Sequence, residues 1–321
     1  MAVFSFVRAI LMATAPSPAP YAKPALTFEG QLAVVQARGL IANNRDAAFA
    51  AFSSISYYRL SGYWYPFRLR AADGAVSEDF ERGAYLESVL RLYEFDRRLR
   101  LLVLDALERA EVALRTAVAY QLGHHYGALG HEDAATFHPS FDHAAWIDKL
   151  HGEARRSQDA FVTHYRRRYT NFPALPVWML TEVMSLGSLS RLVRSLKAED
   201  KRAVATRFHL HPKRLENWLH VLTYVRNVCA HHSRLWNREL AIRPDLKGGA
   251  DWLPPVTPRN DRVFYVLLML RHLLRCCGNG DDWAKSCEAL LLSMTSNSRW
   301  RIAMGFPEAW TSHPQWVSER K

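Results

Sequence analysis

Cysteine is scarce: four residues in 321, at Cys229, Cys276, Cys277 and Cys287, with no C-x-x-C pair among them. That excludes a disulfide framework of the small secreted kind and fits reduced, mostly buried thiols in an intracellular protein. Long apolar runs are missing as well. The longest, Val263 to Leu270, stops at Arg271 and falls far short of the roughly 20 residues that a membrane helix needs. The N-terminal stretch has an apolar part but no basic start, and Arg8 interrupts it. It reads as a flexible leader over residues 1–21 rather than a signal peptide. No segment alternates apolar and polar residues over a useful length and no internal repeat is present, which argues against sheet-rich and solenoid architectures. Lysine is the last shortage: of 42 Lys and Arg residues only 8 are Lys, leaving 34 Arg.

What is present is a core and a positive charge. Hydrophobic residues make up 49% of the chain and aromatics 12%, enough to build a substantial interior. The net charge is +11. Arginine offers phosphate a planar, bidentate fork, and a basic surface draws polyanions, so the balance points to a nucleic-acid partner. The same excess of Arg over Lys also follows from genome base composition.

Taken in order, the chain reads as helices. Thr27 caps a short helix that ends at Gly39, and Arg45 to Ile55 forms a second. The aromatic block Ser56 to Arg68 reads as rings that pin two helices together. A polar turn over 69–83 follows. Ala84 to Gly123 contains no internal Gly or Pro, and Leu86, Leu90, Tyr93, Leu104, Leu107 and Leu114 mark its core stripe. Arg97, Arg98, Arg100, Glu108, Arg109, Glu111 and Arg115 fill the other faces, with Glu111 and Arg115 spaced as a surface ion pair. His124, His125, His131, His138 and His143 read as solvated loop histidines, because no Cys or carboxylate stands at a zinc spacing beside them. The run His164 to Tyr169, with Arg166, Arg167 and Arg168, suits either a nucleic-acid backbone or a solvated helix face. Further helices follow over 146–156, 177–182, 188–196, 198–208, 217–237, 262–277 and 283–294, with an aromatic tail that packs as a cap. The fold class is therefore all-α, as a single helical domain.

The stretch Tyr224 to Arg238 carries the most chemistry. It holds Arg226, Asn227, His231, His232, Arg234 and Arg238. On a helix Asn227 and His231 share a face, while Arg226 lies about 140° from His231 around the axis. A permanent cation, an amide and an imidazole that exchanges a proton near neutral pH suit the cutting of a phosphodiester. Spacing alone is a weak signal here, since Arg202 to His209 and Arg214 to His220 repeat it loosely. It also leaves both His231 and His232 open as the working imidazole.

The segment Arg226-Asn-Val-Cys-Ala-His-His-Ser-Arg-Leu-Trp-Asn-Arg238 resembles the signature of the Abi-like (AbiD/AbiF-type) abortive-infection proteins, usually placed among the HEPN domains. Lys23 to Phe28, Tyr57 to Phe67, Tyr93 to Arg100, Glu108, Glu111, Arg115, Met304 to Pro307 and Trp310 resemble other parts of that family in the same order. The resemblance spans roughly residues 22–316. It implies a HEPN-type helical core over about 84–295 with helical N- and C-terminal elaborations, and a cytoplasmic endoribonuclease of anti-phage defence. It further implies a homodimer, because such motifs meet in pairs and this chain has one convincing copy. RNA is then the substrate and a candidate regulatory partner.

On that reading His231 moves a proton, Arg226 stabilises charge on the phosphate and Asn227 holds the phosphate or the imidazole. Arg234, Arg238, Arg166, Arg167 and Arg168 are the expected RNA contacts. No metal and no cofactor is expected, and no membrane association. The alternative is a non-catalytic RNA- or protein-binding helical module, in which the same residues are phosphate and packing contacts.

Overall fold

The computed structural model describes residues 20–246, 252, 258–278 and 280–317. Residues 1–19 of the expected leader and most of the loop over 245–258 lie outside these residues. Among them are thirteen α-helices and one two-stranded ribbon, so the chain is predominantly α. It divides into two compact units, one up to Leu90 and one from Arg91 onward.

The first unit holds α1 (Phe28–Ala37), α2 (Arg45–Ser54), α3 (Tyr57–Trp64), β1 (Arg68–Arg70), β2 (Val76–Phe80) and the start of α4 (Leu86–Tyr126). Thr27 caps α1 by accepting from the Gly30 N–H. Gly39 ends it at φ +94°, a conformation glycine adopts without strain. Trp64 is fully buried and meets Phe52, Tyr57 and Phe80 at ring distances of 6.5, 4.9 and 6.3 Å. Tyr63 and Trp64 of the aromatic block thus belong to the interior, while Tyr58 and Tyr65 are exposed. The expected polar turn is instead an antiparallel ribbon pairing Arg68 with Phe80 and Arg70 with Val76. Its tip is Asp73-Gly74, with Gly74 at φ +85° and the Asp73 carboxylate accepting from the Ala75 N–H. The turn signal was legible, but strands of three and five residues are too short to show alternation.

The second unit is built on the remainder of α4, a helix of 41 residues without a break. Its true core stripe is Leu92, Phe95, Leu99, Val103, Ala106, Leu107, Ala110, Leu114 and Val118. Of the residues expected there in this unit, Tyr93 and Leu104 are only half-buried. After α4 come α5 (His143–Arg156), α6 (Ala160–Arg168), α7 (Val177–Val183), α8 (Leu186–Ser195) and α9 (Ala198–Thr206), followed by α10 (Pro212–Ala230), α11 (Val263–Cys276), α12 (Asp281–Thr295) and α13 (Ser298–Ala303). Leu215, Leu219 and Leu222 of α10 face Leu107, Ala110 and Leu114 of α4 across an apolar space. The α7–α8 break falls at Met184–Ser185, where Ser185 caps α8, so α8 begins at Leu186 rather than at 188. Met304, Phe306, Trp310 and Trp316 are buried in the tail, which packs down as expected.

Two further expectations are corrected. Glu111 and Arg115 form a mostly buried ion pair, not a surface one. Arg115 also donates to the carbonyls of Thr181 and Met184, so it ties α4 to the C-terminal end of α7. Nor are the histidines all solvated loop residues. His124 and His125 lie on α4, and His131 is fully buried, its Nε2 3.4 Å from a Glu132 carboxylate oxygen that His151 also reaches at 2.9 Å.

Among the described residues no helix is long and apolar enough to cross a membrane. All four cysteines are free thiols.

Candidate functional site

The motif does not lie on one continuous helix. α10 starts at Pro212 and ends at Ala230, whereas its sequence reads as helical to Asn237. Its buried face carries Trp218, Leu222, Val225 and Val228. The helix closes with two paired bonds. The His232 N–H donates to the Cys229 carbonyl at 3.0 Å and the Ser233 N–H to the Val228 carbonyl at 2.9 Å. This is a Schellman ending, and it places His232 at φ +56°. Such endings favour glycine at that position, so a histidine there gives no stop signal in the sequence.

Arg226 and Asn227 sit on the last turn of α10, exposed, with Arg226 Nη1 3.4 Å from Asn227 Oδ1. His231 is the residue that caps the helix. Its N–H donates to the Asn227 carbonyl at 3.0 Å, and its side chain is exposed. The three expected catalytic residues therefore share one exposed helix end, above a buried face. A guanidinium, an amide and an imidazole displayed together can bind a phosphate and exchange a proton with a group on it.

Beyond His232 the chain is anchored. The Leu235 N–H donates to Asp96 Oδ1 and Oδ2 at 3.1 and 3.3 Å, and the Trp236 N–H to Oδ1 at 2.7 Å. Asp96 is fully buried on α4 and pairs with Arg100 one turn along. Leu235 and Trp236 are themselves fully buried, and Arg262 donates to the Asn237 carbonyl at 2.9 Å. In the sequence Arg100 reads as one of the outward-facing charges of this helix, and Asp96 carries no assigned role. The available signal was register, since Asp96 and Arg100 fall four apart beside the buried Leu92, Phe95 and Leu99.

The expected RNA contacts fall in two places. Arg234 and Arg238 follow the helix end, both half-buried, and Arg238 Nε donates to the Arg234 carbonyl at 2.7 Å. Arg166, Arg167 and Arg168 form the last turn of α6. Arg166 reaches the Arg155 carbonyl at 3.0 Å and lies over the Phe172 ring at 4.6 Å, so it fastens α6 to the end of α5. Arg167 and Arg168 are exposed.

Cys229, inside the motif helix, is buried, and that burial pushes its thiol up to about 12. It is no nucleophile at neutral pH. One group among the described residues has metal-ligand types close together: His125, Glu199 and Asp200, with donor atoms within 4.8 Å of one another. The fully buried Asp200 carboxylate is bonded by Gln121 Nε2, His125 Nδ1 and the Tyr126 hydroxyl at 2.8, 2.8 and 2.7 Å. Burial raises its pKa, but those three bonds outweigh burial and hold it below the ordinary value. The arrangement works as a hydrogen-bonded hub joining α4 to α9.

The sequence model of a family described as Abi-like protein matches residues 50–237, more than half of the chain. The chain belongs to the Abi-like protein family. No curated protein and no solved structure matches it.

Proposed function

We propose that this chain is a HEPN-type endoribonuclease of abortive-infection defence, cutting RNA without a metal. The observation that carries the reading is the exposed cluster of Arg226, Asn227 and His231 on the last turn and cap of α10. The RNA 2′-hydroxyl is the nucleophile. The His231 imidazole takes its proton as the oxygen attacks phosphorus, and the bond from phosphorus to the 5′ oxygen breaks. A proton returned to that oxygen leaves a 2′,3′-cyclic phosphate and a 5′-hydroxyl. Arg226 stabilises the charge that builds on the phosphate, and Asn227 holds the phosphate or the ring. DNA, lacking the 2′-hydroxyl, resists. The chain offers one convincing motif, so two copies form the working cleft. Arg234, Arg238, Arg167 and Arg168 contact RNA along its backbone, which suits a net charge of +11.

The test is incubation of wild-type and His231→Ala protein with total cellular RNA in EDTA, with product ends mapped. Cyclic-phosphate ends from wild type alone are expected. Cutting that persists in the variant sinks the assignment of His231. A second reading, a non-catalytic RNA-binding module, draws on the exposed Arg167 and Arg168. It predicts that His231→Ala weakens RNA binding in a protein that never cuts.

A further inference from the structure

We infer that Asp96 is a positioning residue for the helix-end motif: its buried carboxylate fixes the chain just beyond His231 and so sets where the two histidines stand. For its effect on cleavage this rests on the ribonuclease reading above. The clamp itself does not.

α10 ends without glycine or proline between Ala230 and Arg234. Nothing local compels the stop, and His232 takes a left-handed conformation that side chains disfavour. A single carboxylate supplies what the local sequence lacks. Asp96 accepts from the two consecutive amides of Leu235 and Trp236, with only three residues between them and His231. Were α10 to run on, those amides would donate within the helix and His231 would be carried into its interior turns. Bonds from amides to an ionised acceptor are stronger than neutral ones. Asp96 is 0% exposed and its partner Arg100 4% exposed. A buried ion pair is a poor source of stability compared with apolar residues of the same size, and its attested use is to specify one arrangement among several. Here the arrangement specified is the chain direction after the motif. His231 is then held on both sides, upstream by its own N–H on the Asn227 carbonyl and downstream by the Asp96 clamp.

The decisive variant is Asp96→Leu combined with Arg100→Met, which removes the acceptor and both buried charges together and leaves neither charge unpaired. Amide hydrogen exchange and cleavage of a synthetic RNA carrying a site that the wild type cuts are measured in parallel. The expected result is exchange at Leu235 and Trp236 about a hundredfold faster, with Val221 and Leu222 of α10 still protected. In cleavage, kcat falls about tenfold or more while KM for the RNA stays within about twofold. A merely structural role leaves kcat unchanged in protein that remains folded, and that outcome overturns the inference. Should the double variant not fold, the wild type decides: rapid exchange at its Leu235 and Trp236 amides overturns the clamp, and protection equal to that of Val225 upholds it. Failure of the wild type to cut any RNA overturns the ribonuclease reading and the positioning role with it, while the exchange data still judge the clamp separately.

Discussion

His232 shows how much one dihedral angle matters at this site. At φ +56° it occupies a region that costs a side-chain-bearing residue roughly 1–2 kcal/mol, though histidine tolerates it better than branched residues do. His232→Gly relieves that strain, and the variant is expected to be about 1 kcal/mol more stable, read as a higher urea midpoint at unchanged slope. The same protein separates the two imidazoles. If His231 is the working group, the glycine variant still cuts RNA; loss of cutting in a stabilised protein transfers the role to His232. Residue identity was legible throughout the motif. The conformation was not, because glycine is the usual mark of such an ending and histidine stands in its place.

At the scale of elements, the structure depends on a few long side chains that finish helices from outside. Arg115 closes the end of α7 by donating to the Thr181 and Met184 carbonyls while pairing with Glu111. Arg166 does the same for α5. Replacing Arg115 with Met strands a mostly buried carboxylate and two carbonyls. The expected loss is about 2–4 kcal/mol, measured by urea unfolding. Glu111→Gln combined with Arg115→Met is expected to lose less than Arg115→Met alone, because no charge is then left unpaired. The sequence displayed the i,i+4 spacing of Glu111 and Arg115 but not the third partner, a helix end some 66 residues away in the chain. Long-range capping of this kind carries no local pattern. The β1–β2 ribbon was missed for the opposite reason, its signal being local but too short.

For the whole molecule the thiols report integrity. Cys229 and Cys287 are buried, and burial raises both well above the ordinary thiol value. Cys276 and Cys277 are half-buried and raised for the same reason. An aromatic disulfide reagent at pH 8 is therefore expected to label all four slowly, Cys229 and Cys287 slowest, and to label them together once denaturant unfolds the chain. Fast labelling of Cys229 in native protein would mean that the C-terminal part of α10 opens on its own.

Composition, the 3.6-residue period and the capping residues determined by themselves that this chain is helical and where most helices begin. These are local properties, set by residues within a turn or two of one another. Only the tertiary structure decided that α10 stops at Ala230, that Asp96 rather than glycine holds the chain beyond it, and that His131, Asp96, Arg100 and Asp200 lie inside. Each depends on a partner far along the chain, and a buried charge or a helix end is stable only when that partner is brought to it.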